Sequence, residues 1–332
     1  MLHMMRSDRN GVRNRFDEHG RITDMSSVNG KAMASLILSI IIWSVSFIAT
    51  KIACQCFTPL TLCFIRLSVA AVILLVIRIV RKQPFTLSGK DRRPVFLSAF
   101  LGITVYYALE TIGVSLTSAS NASVITAFYP LSTVVTGMLF FHDRIPLRQL
   151  IGILIGIAGI IVLTETSPSE SGRNVMAGNL LLLFNGFMWG SYNYLTQEVS
   201  SETDTETMTF FQTIAGAVFF LPVLLLDMPI HIARVTPEAA ASLLFLSAGC
   251  SVIAYYLYNY GLRGVSAVIA ASSLNLMPVF GLFFSWLILH EPIGVRQIFG
   301  TVLVISGVML SAYLKSGRKN FLLNTSVSEK SN

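Results

Sequence analysis

Long apolar runs separated by short polar segments dominate the chain. They cover residues 32–53, 59–79, 95–114, 118–140, 147–164, 177–197, 207–226, 239–261, 265–289 and 297–314, each roughly 18–24 residues long. At about 1.5 Å per residue, a helix of that length crosses the roughly 30 Å hydrocarbon core of a bilayer. The pattern therefore predicts an all-α polytopic membrane protein with about ten transmembrane helices, and the bilayer is its first partner. Connectors such as 54–58, 115–117 and 142–146 leave room for hairpin turns only. The longer segment 165–176 (ETSPSESGRNVM) splits the chain near its middle. No extramembrane domain is expected, which removes most soluble enzyme mechanisms.

Composition agrees. Of 332 residues, 53% are hydrophobic and only 12% charged, against about 25% charged in a typical soluble domain. The net charge of +7 is a topology signal rather than a nucleic-acid footprint, because the basic residues collect on one side of the spans. Arg6, Arg9, Arg13, Arg15, Arg21 and Lys31 occupy the N-terminal segment, and Arg78, Arg81, Lys82, Lys90, Arg92 and Arg93 follow the second apolar run. Counted over alternate connectors, 19 Lys and Arg fall on the side of both termini and 3 (Arg173, Arg234, Arg296) on the other. The positive-inside rule then places both termini in the cytoplasm. The acidic connector 198–206 sits on the same side, but acidic residues weigh little in that rule. About 30 polar residues precede the first apolar run without a cleavage-like site, so the first span is expected to persist. Cys54, Cys56, Cys63 and Cys250 lack zinc or redox spacing and read as small apolar helix residues. No metal or cofactor is expected.

The chain repeats itself. At an offset of +146, IIWSVSFIATKIA (41–53) lies over FMWGSYNYLTQEV (187–199), matching Trp43 with Trp189 and Thr50 with Thr196; Phe64 falls on Phe210. At +148, HDRIPLRQLIG (142–152) lies over HEPIGVRQIFG (290–300), and Tyr107, Gly113, Pro130 and Gly159 fall on Tyr255, Gly261, Pro278 and Gly307. Ordered polar landmarks across several segments mark a true repeat. Residues 32–164 and 177–314 each hold five spans, between the basic segment 1–31, the connector 165–176 and the tail 315–332. An odd span number inverts the second copy relative to the first. Inverted repeats are a recurring plan of secondary transporters, with the substrate held near the midplane between the halves.

These features resemble the drug/metabolite transporter superfamily, in particular its EamA-type members. The resemblance covers residues 32–314. It rests on five-plus-five helices, a tryptophan in the first helix of each repeat and a proline in the fourth. An acidic turn (HDRI, HEPI) and a Gly-rich fifth helix complete it. Asp143 stands where similar proteins usually carry Glu. The resemblance implies a bacterial inner-membrane transporter of small molecules, an exporter or exchanger, and leaves the substrate open among amino acids, sugars, nucleotides, drugs and other metabolites.

Ionisable groups within spans point to function because they are costly there. Lys51, Arg66 and Glu110 all lie in the first repeat and, by depth, in one half of the bilayer; their counterparts are Gln197, Gln212 and Tyr258. A shared cluster would be electropositive if Glu110 balances one cation, favouring carboxylate-bearing substrates such as amino acids. Glu110 could also carry a coupling proton. Snorkelling of Lys51 and Glu110 to the interface is the structural alternative. Trp43, with Phe47 one turn on, and Trp189, with Asn193 on the same face, are expected at the seam between the repeats. There they act as cavity wall or as packed plug. Tyr107, Tyr255 and Tyr258 suit the same wall or the core. Pro130 and Pro278 lack the N–H that would bond the carbonyls of Thr126 and Leu274, and a hinge or a static kink follows. Gly152-x-x-x-Gly156 lets helices approach closely, within one chain or at a homodimer face. Asn121-Ala-Ser and Asn324-Thr-Ser are discounted as glycosylation sites, the first abutting a helix and the second in the cytoplasmic tail. No P-loop and no H-E-x-x-H motif occurs, and His3, His19, His142, His231 and His290 all fall near membrane surfaces or in the tail. ATP-driven transport and an intramembrane enzyme are thereby disfavoured, and a channel or sensor is the remaining alternative.

Overall fold

The computed structural model describes residues 15–16, 22–23, 30–117, 122, 125–126, 128–143, 145–163, 173–227, 235–280, 283–284 and 294–313. The basic segment before Gly30, apart from two residue pairs, and the tail after Tyr313 lie outside them, as do 164–172 of the connector and the His290 turn. Ten helices are described: α1 (Gly30–Ala53), α2 (Pro59–Val80), α3 (Arg92–Leu116), α4 (Tyr129–Phe140), α5 (Leu147–Leu163), α6 (Arg173–Glu198), α7 (Thr205–Leu224), α8 (Pro237–Leu262), α9 (Ala267–Phe280) and α10 (Val295–Tyr313). Five of them, α1, α2, α3, α7 and α8, are long and apolar enough by themselves to cross a bilayer. In the N-terminal segment, β1 (Arg15–Phe16) and β2 (Ile22–Thr23) pair antiparallel, Arg15 opposite Thr23. The hydropathy pattern held no sign of that small ladder.

Short polar residues start the helices where the apolar runs begin. Thr58 precedes Pro59 at the first turn of α2, and the repeat-related Asp204 caps α7, accepting from the Thr207 N–H at 2.8 Å. Thr236 caps α8 through the Ala239 N–H at 3.2 Å, ahead of Pro237.

The packing has a pseudo-twofold plan. Helix α3 lies on α6, and α8 lies on α1; α2 meets α8, and α7 meets α3; α2–α7, α4–α9 and α5–α10 are self-related pairs. Each of these contacts recurs with the repeats exchanged, as an isologous interface requires. Within the α5–α10 pair the Gly152-x-x-x-Gly156 motif is used inside the chain: Gly152 faces the backbone of Gly307 and Ser311, and Gly159 faces that of Gly300 and Val304. The large apolar side chains left exposed, among them Val76, Phe100, Leu139, Leu180, Leu226 and Val302, are spread over the outside of the bundle, where lipid replaces water.

Five helices depart from the regular spans expected. Ser44 and Val45 interrupt α1 just after Trp43, whereas α6 runs through the equivalent position. At Pro130 the helical residues Ala122, Ile125 and Thr126 are separated by a turn at Phe128 from α4, which starts at Tyr129, so the proline occupies the first turn after a break, where its missing N–H costs little. In α9 a 3₁₀ turn, Leu274–Leu276, precedes Pro278, because an α-helical carbonyl at Leu274 would have no N–H to receive. Helices α3 and α8 each contain a π-helical stretch, Phe100–Val105 and Phe245–Ala254, a feature that clusters at functional sites.

The face carrying the connectors 81–91 and 199–204 is closed by polar contacts between the repeats. Asp91, buried, accepts from the Ser200 N–H (2.9 Å), the Ser200 hydroxyl (2.6 Å) and the Thr203 hydroxyl (2.5 Å). Lys90 pairs with Glu202 at 2.6 Å and Arg81 with Glu206 at 3.0 Å. Arg78 is buried beneath them among Phe85, Phe210 and Phe211 and bonds Thr207 at 3.2 Å. Burial by itself would raise the Asp91 pKa, but the hydrogen bonds from Ser200 and Thr203 outweigh it, and the carboxyl sits below its ordinary value of 3.8. A depressed carboxylate contributes stability above its unfolded pKa and loses it as pH falls through the folded one. The closure therefore holds throughout the neutral range. Asp91→Asn is expected to lose about 1.5–3 kcal/mol, the value of hydrogen bonds to a charged group. Its thermal unfolding should also lose some of the acid dependence seen in the parent protein.

Candidate functional site

The helices of both repeats converge on one cavity. Trp43, Ser46 and Phe47 reach it from α1, Arg66 from α2, Tyr106, Tyr107 and Glu110 from α3, and Thr126 and Tyr129 from the α4 region. Trp189, Tyr255, Leu274 and Met277 come from the second repeat. The cavity measures about 30 Å³, room for roughly two water molecules. That is smaller than any metabolite, so this conformation leaves no room for a substrate at the site.

Arg66 is the central cation. It is buried on a mostly apolar helix because three neighbours satisfy it: Nε donates to Ser251 Oγ at 2.8 Å, Nη2 donates to Tyr107 Oη at 2.9 Å, and Nη1 lies 4.0 Å from Glu110 Oε2. The guanidinium also stands 4.1 Å from the centroid of the Tyr107 ring. Glu110 in turn accepts from Tyr106 Oη at 3.0 Å, one helical turn back on α3. The Arg66–Glu110 contact is long for a charge-assisted hydrogen bond. The carboxylate neutralises the guanidinium while leaving Nη1 donors unspent on it.

Six aromatic rings pack against one another beside this pair. Trp43 meets Trp189 edge-on at 5.6 Å and Tyr255 edge-on at 5.4 Å and tilts against Tyr258 at 5.2 Å; Trp189 stacks on Tyr192 at 5.4 Å and tilts against Tyr106 at 5.2 Å. The repeat-related tryptophans thus form the seam and wall the cavity from both halves.

Of the residues expected from sequence, Trp43, Phe47, Arg66, Tyr107, Glu110, Trp189 and Tyr255 come together here. Four do not. Lys51 is half-buried near the end of α1 and lines no portion of the cavity. Its counterpart Gln197 bonds the carbonyls of Leu262 (3.1 Å) and Val265 (2.5 Å) at the end of α8, a place at a helix terminus rather than at the midplane. Gln212 is consumed by Ser98 (2.8 Å), Thr196 (3.0 Å), Asn259 (3.1 Å) and Tyr192 (3.2 Å). That buried neutral network replaces, in the second repeat, the Arg66 cluster of the first. Tyr258 donates to Asn193 Oδ1 at 2.9 Å, and the two stand behind the tryptophans. The net electropositive cavity expected from sequence is corrected accordingly: without Lys51, the cavity holds one cation and one anion. Pro130 and Pro278 lie outside the lining, but Thr126 and Leu274, four residues before them, belong to it.

Several residues at this site escaped the sequence. Tyr106 was legible in principle, four residues before Glu110. Ser251 and Tyr129 carry no local signal, since serine and tyrosine are common throughout these helices. The acidic turn proves to be an anchor: Asp143 Oδ2 accepts from Tyr194 Oη at 2.9 Å, and Phe141 stacks on the same ring at 4.7 Å. It ties the α4–α5 turn to α6.

Comparison with known proteins follows the same division. The EamA-like transporter family matches residues 30–165 and again 176–313. An uncharacterised transporter of Archaeoglobus fulgidus is 27% identical over 286 residues, covering 86% of this chain and 98% of that protein. The uncharacterised transporter YoaV of Bacillus subtilis is 24% identical over 292 residues, covering 87% and 99%. A crystal structure at 19% identity aligns with TM-score 0.68 over 86% of this chain and 97% of its own, a likeness of fold.

Proposed function

We propose that this chain, which belongs to the EamA-like transporter family, is a secondary-active exporter or exchanger of small carboxylate-bearing metabolites, amino acids among them. It works by alternating access between its two inverted repeats. The observation that carries the reading is Arg66: a buried guanidinium facing a cavity walled by both repeats, with Glu110 at 4.0 Å. A substrate carboxylate competes with Glu110 for the guanidinium, whose planar fork suits bidentate binding of carboxylates. A substrate ammonium then finds Glu110, and the rings of Trp43, Trp189 and Tyr255 take up an apolar side chain. When the substrate brings no cation, a proton on Glu110 balances the exchange, which is the coupling role proposed for it. The breaks beside Pro130 and Pro278 supply the movement that widens the site, and the chain resides in a bacterial inner membrane with both termini cytoplasmic.

The test is counterflow in proteoliposomes loaded with a mixture of amino and organic acids, followed by mass spectrometry of internal and external pools. The expected result is saturable exchange of a few carboxylates that is lost in a Trp43→Ala, Arg66→Gln variant reconstituted to equal density. Flux that does not saturate and shows no counterflow would assign the protein to the channels.

A further inference from the structure

The two repeats are alike in sequence but occupy different hydrogen-bonding states at their seam. Trp43 Nε1 donates across the seam to the Cys250 carbonyl in the π-helical stretch of α8, at 3.1 Å. The repeat-related bond would run from Trp189 Nε1 to the Gly102 carbonyl in the π-helical stretch of α3. It is not made. The Gly102 carbonyl accepts instead from Tyr255 Oη at 3.2 Å. Trp189 Nε1, buried in the cavity wall, is left beside the Tyr258 hydroxyl without hydrogen-bond geometry. The counterpart of Tyr255 is Tyr107, whose hydroxyl accepts from Arg66 and lies 3.4 Å from the hydroxyl of Ser251, the residue after Cys250.

An unpaired buried indole N–H in a native core calls for an explanation, and the repeat supplies one. Each of the two carbonyls has two claimants related by the pseudo-twofold axis, Trp43 or Tyr107 for Cys250 and Trp189 or Tyr255 for Gly102. The present state uses Trp43 and Tyr255. Exchanging the conformations of the halves, which is what alternating access does, gives the other combination: Trp189 on Gly102 and Tyr107 on Cys250.

We infer that these four side chains form a two-position hydrogen-bond switch, and that Trp189 and Tyr107 are positioning residues for the state opposite to this one. The inference rests on the transporter reading for its second state. It also links that state to the substrate site. A carboxylate that draws the Arg66 guanidinium away from the Tyr107 hydroxyl frees it to turn to the Cys250 carbonyl next door. Binding then biases the equilibrium by favouring one combination over the other.

Substitution by Phe removes each donor and keeps a ring, so repeat-related changes of the same chemistry are expected to act in opposite directions. Spin labels at Thr86 and Ser201, exposed on the two connectors of the sealed face, report the states as a short and a long distance in nanodiscs, with Cys54 replaced by Ser. Trp43→Phe and Tyr255→Phe should raise the long-distance population. Trp189→Phe should lower it, the change in each variant being roughly threefold in the ratio, the scale of one buried hydrogen bond. Tyr107 stays unchanged in this series, because its hydroxyl also accepts from Arg66 in the present state. Shifts of one sign for all three variants, or none in the Trp43→Phe, Tyr255→Phe double variant, would overturn the switch. Counterflow on the same preparations separates the two claims. Flux with no opposite-signed shifts removes the switch and keeps the transporter. Opposite-signed shifts with no flux of any carboxylate keep the switch and remove the proposed substrate class.

Discussion

Arg66→Gln is expected to abolish flux and to destabilise the protein, while Arg66→Gln combined with Glu110→Gln is expected to regain the stability but not the flux. The first half follows from the geometry of the pair. Arg66 supplies the only cation that faces Glu110 among the described residues lining the cavity. Removing it leaves a mostly buried carboxylate without its counter-charge, and breaking such a pair costs about 3–5 kcal/mol. The second half separates structure from function. Two glutamines satisfy Ser251, Tyr107 and Tyr106 by neutral hydrogen bonds, as Gln212 satisfies its own neighbours in the second repeat. They offer a substrate carboxylate no charge. Thermal unfolding and counterflow on the single and double variants provide the check. A double variant that recovers both stability and flux would reduce Arg66 to a packing residue.

The second large effect concerns the α5–α10 contact. A Cβ at Gly307 would lie 2.6 Å from the Gly152 carbonyl oxygen and 2.8 Å from Gly156 Cα, closer than real Cβ contacts come, and both atoms are backbone. Neither can step aside as a flexible side chain would. Gly307→Ala must therefore push α10 away from α5, and a loss of about 3 kcal/mol is expected, the upper range for overpacking. Gly89, with nothing within 4 Å of a built Cβ, is the control: Gly89→Ala should leave the melting temperature unchanged. Size-exclusion light scattering on the Gly307 variant addresses the homodimer reading of the glycine motif. A changed oligomeric state at unchanged stability would move the contact between copies.

Much of this architecture was legible without coordinates, and the legible features have a common character. Span length, the start of α2 after the connector 54–58, and the pairing of Trp43 with Trp189 are properties of a residue and its near neighbours in the chain. So is the isolation of Arg66 and Glu110 in apolar runs. Hydrocarbon demands long helices whatever they pack against, and an odd number of them inverts the second repeat. These things the sequence determined by itself.

Which face of each helix meets which neighbour was another matter. Inside a membrane, the lipid side and the packed side of a helix are both apolar, so periodicity does not separate them. Lys51 looked equivalent to Arg66 in the chain and lies at a helix end; Gln212 looked like a cavity residue and is saturated by four neighbours. Ser251, with no signal of its own, holds the guanidinium. The clearest case is the seam. Trp43 and Trp189 are indistinguishable as letters, yet one indole has its carbonyl and the other does not, because two repeats that share a sequence pattern cannot occupy both of its hydrogen-bonding states at once. That asymmetry is a property of the packed pair, and only the tertiary structure decides it.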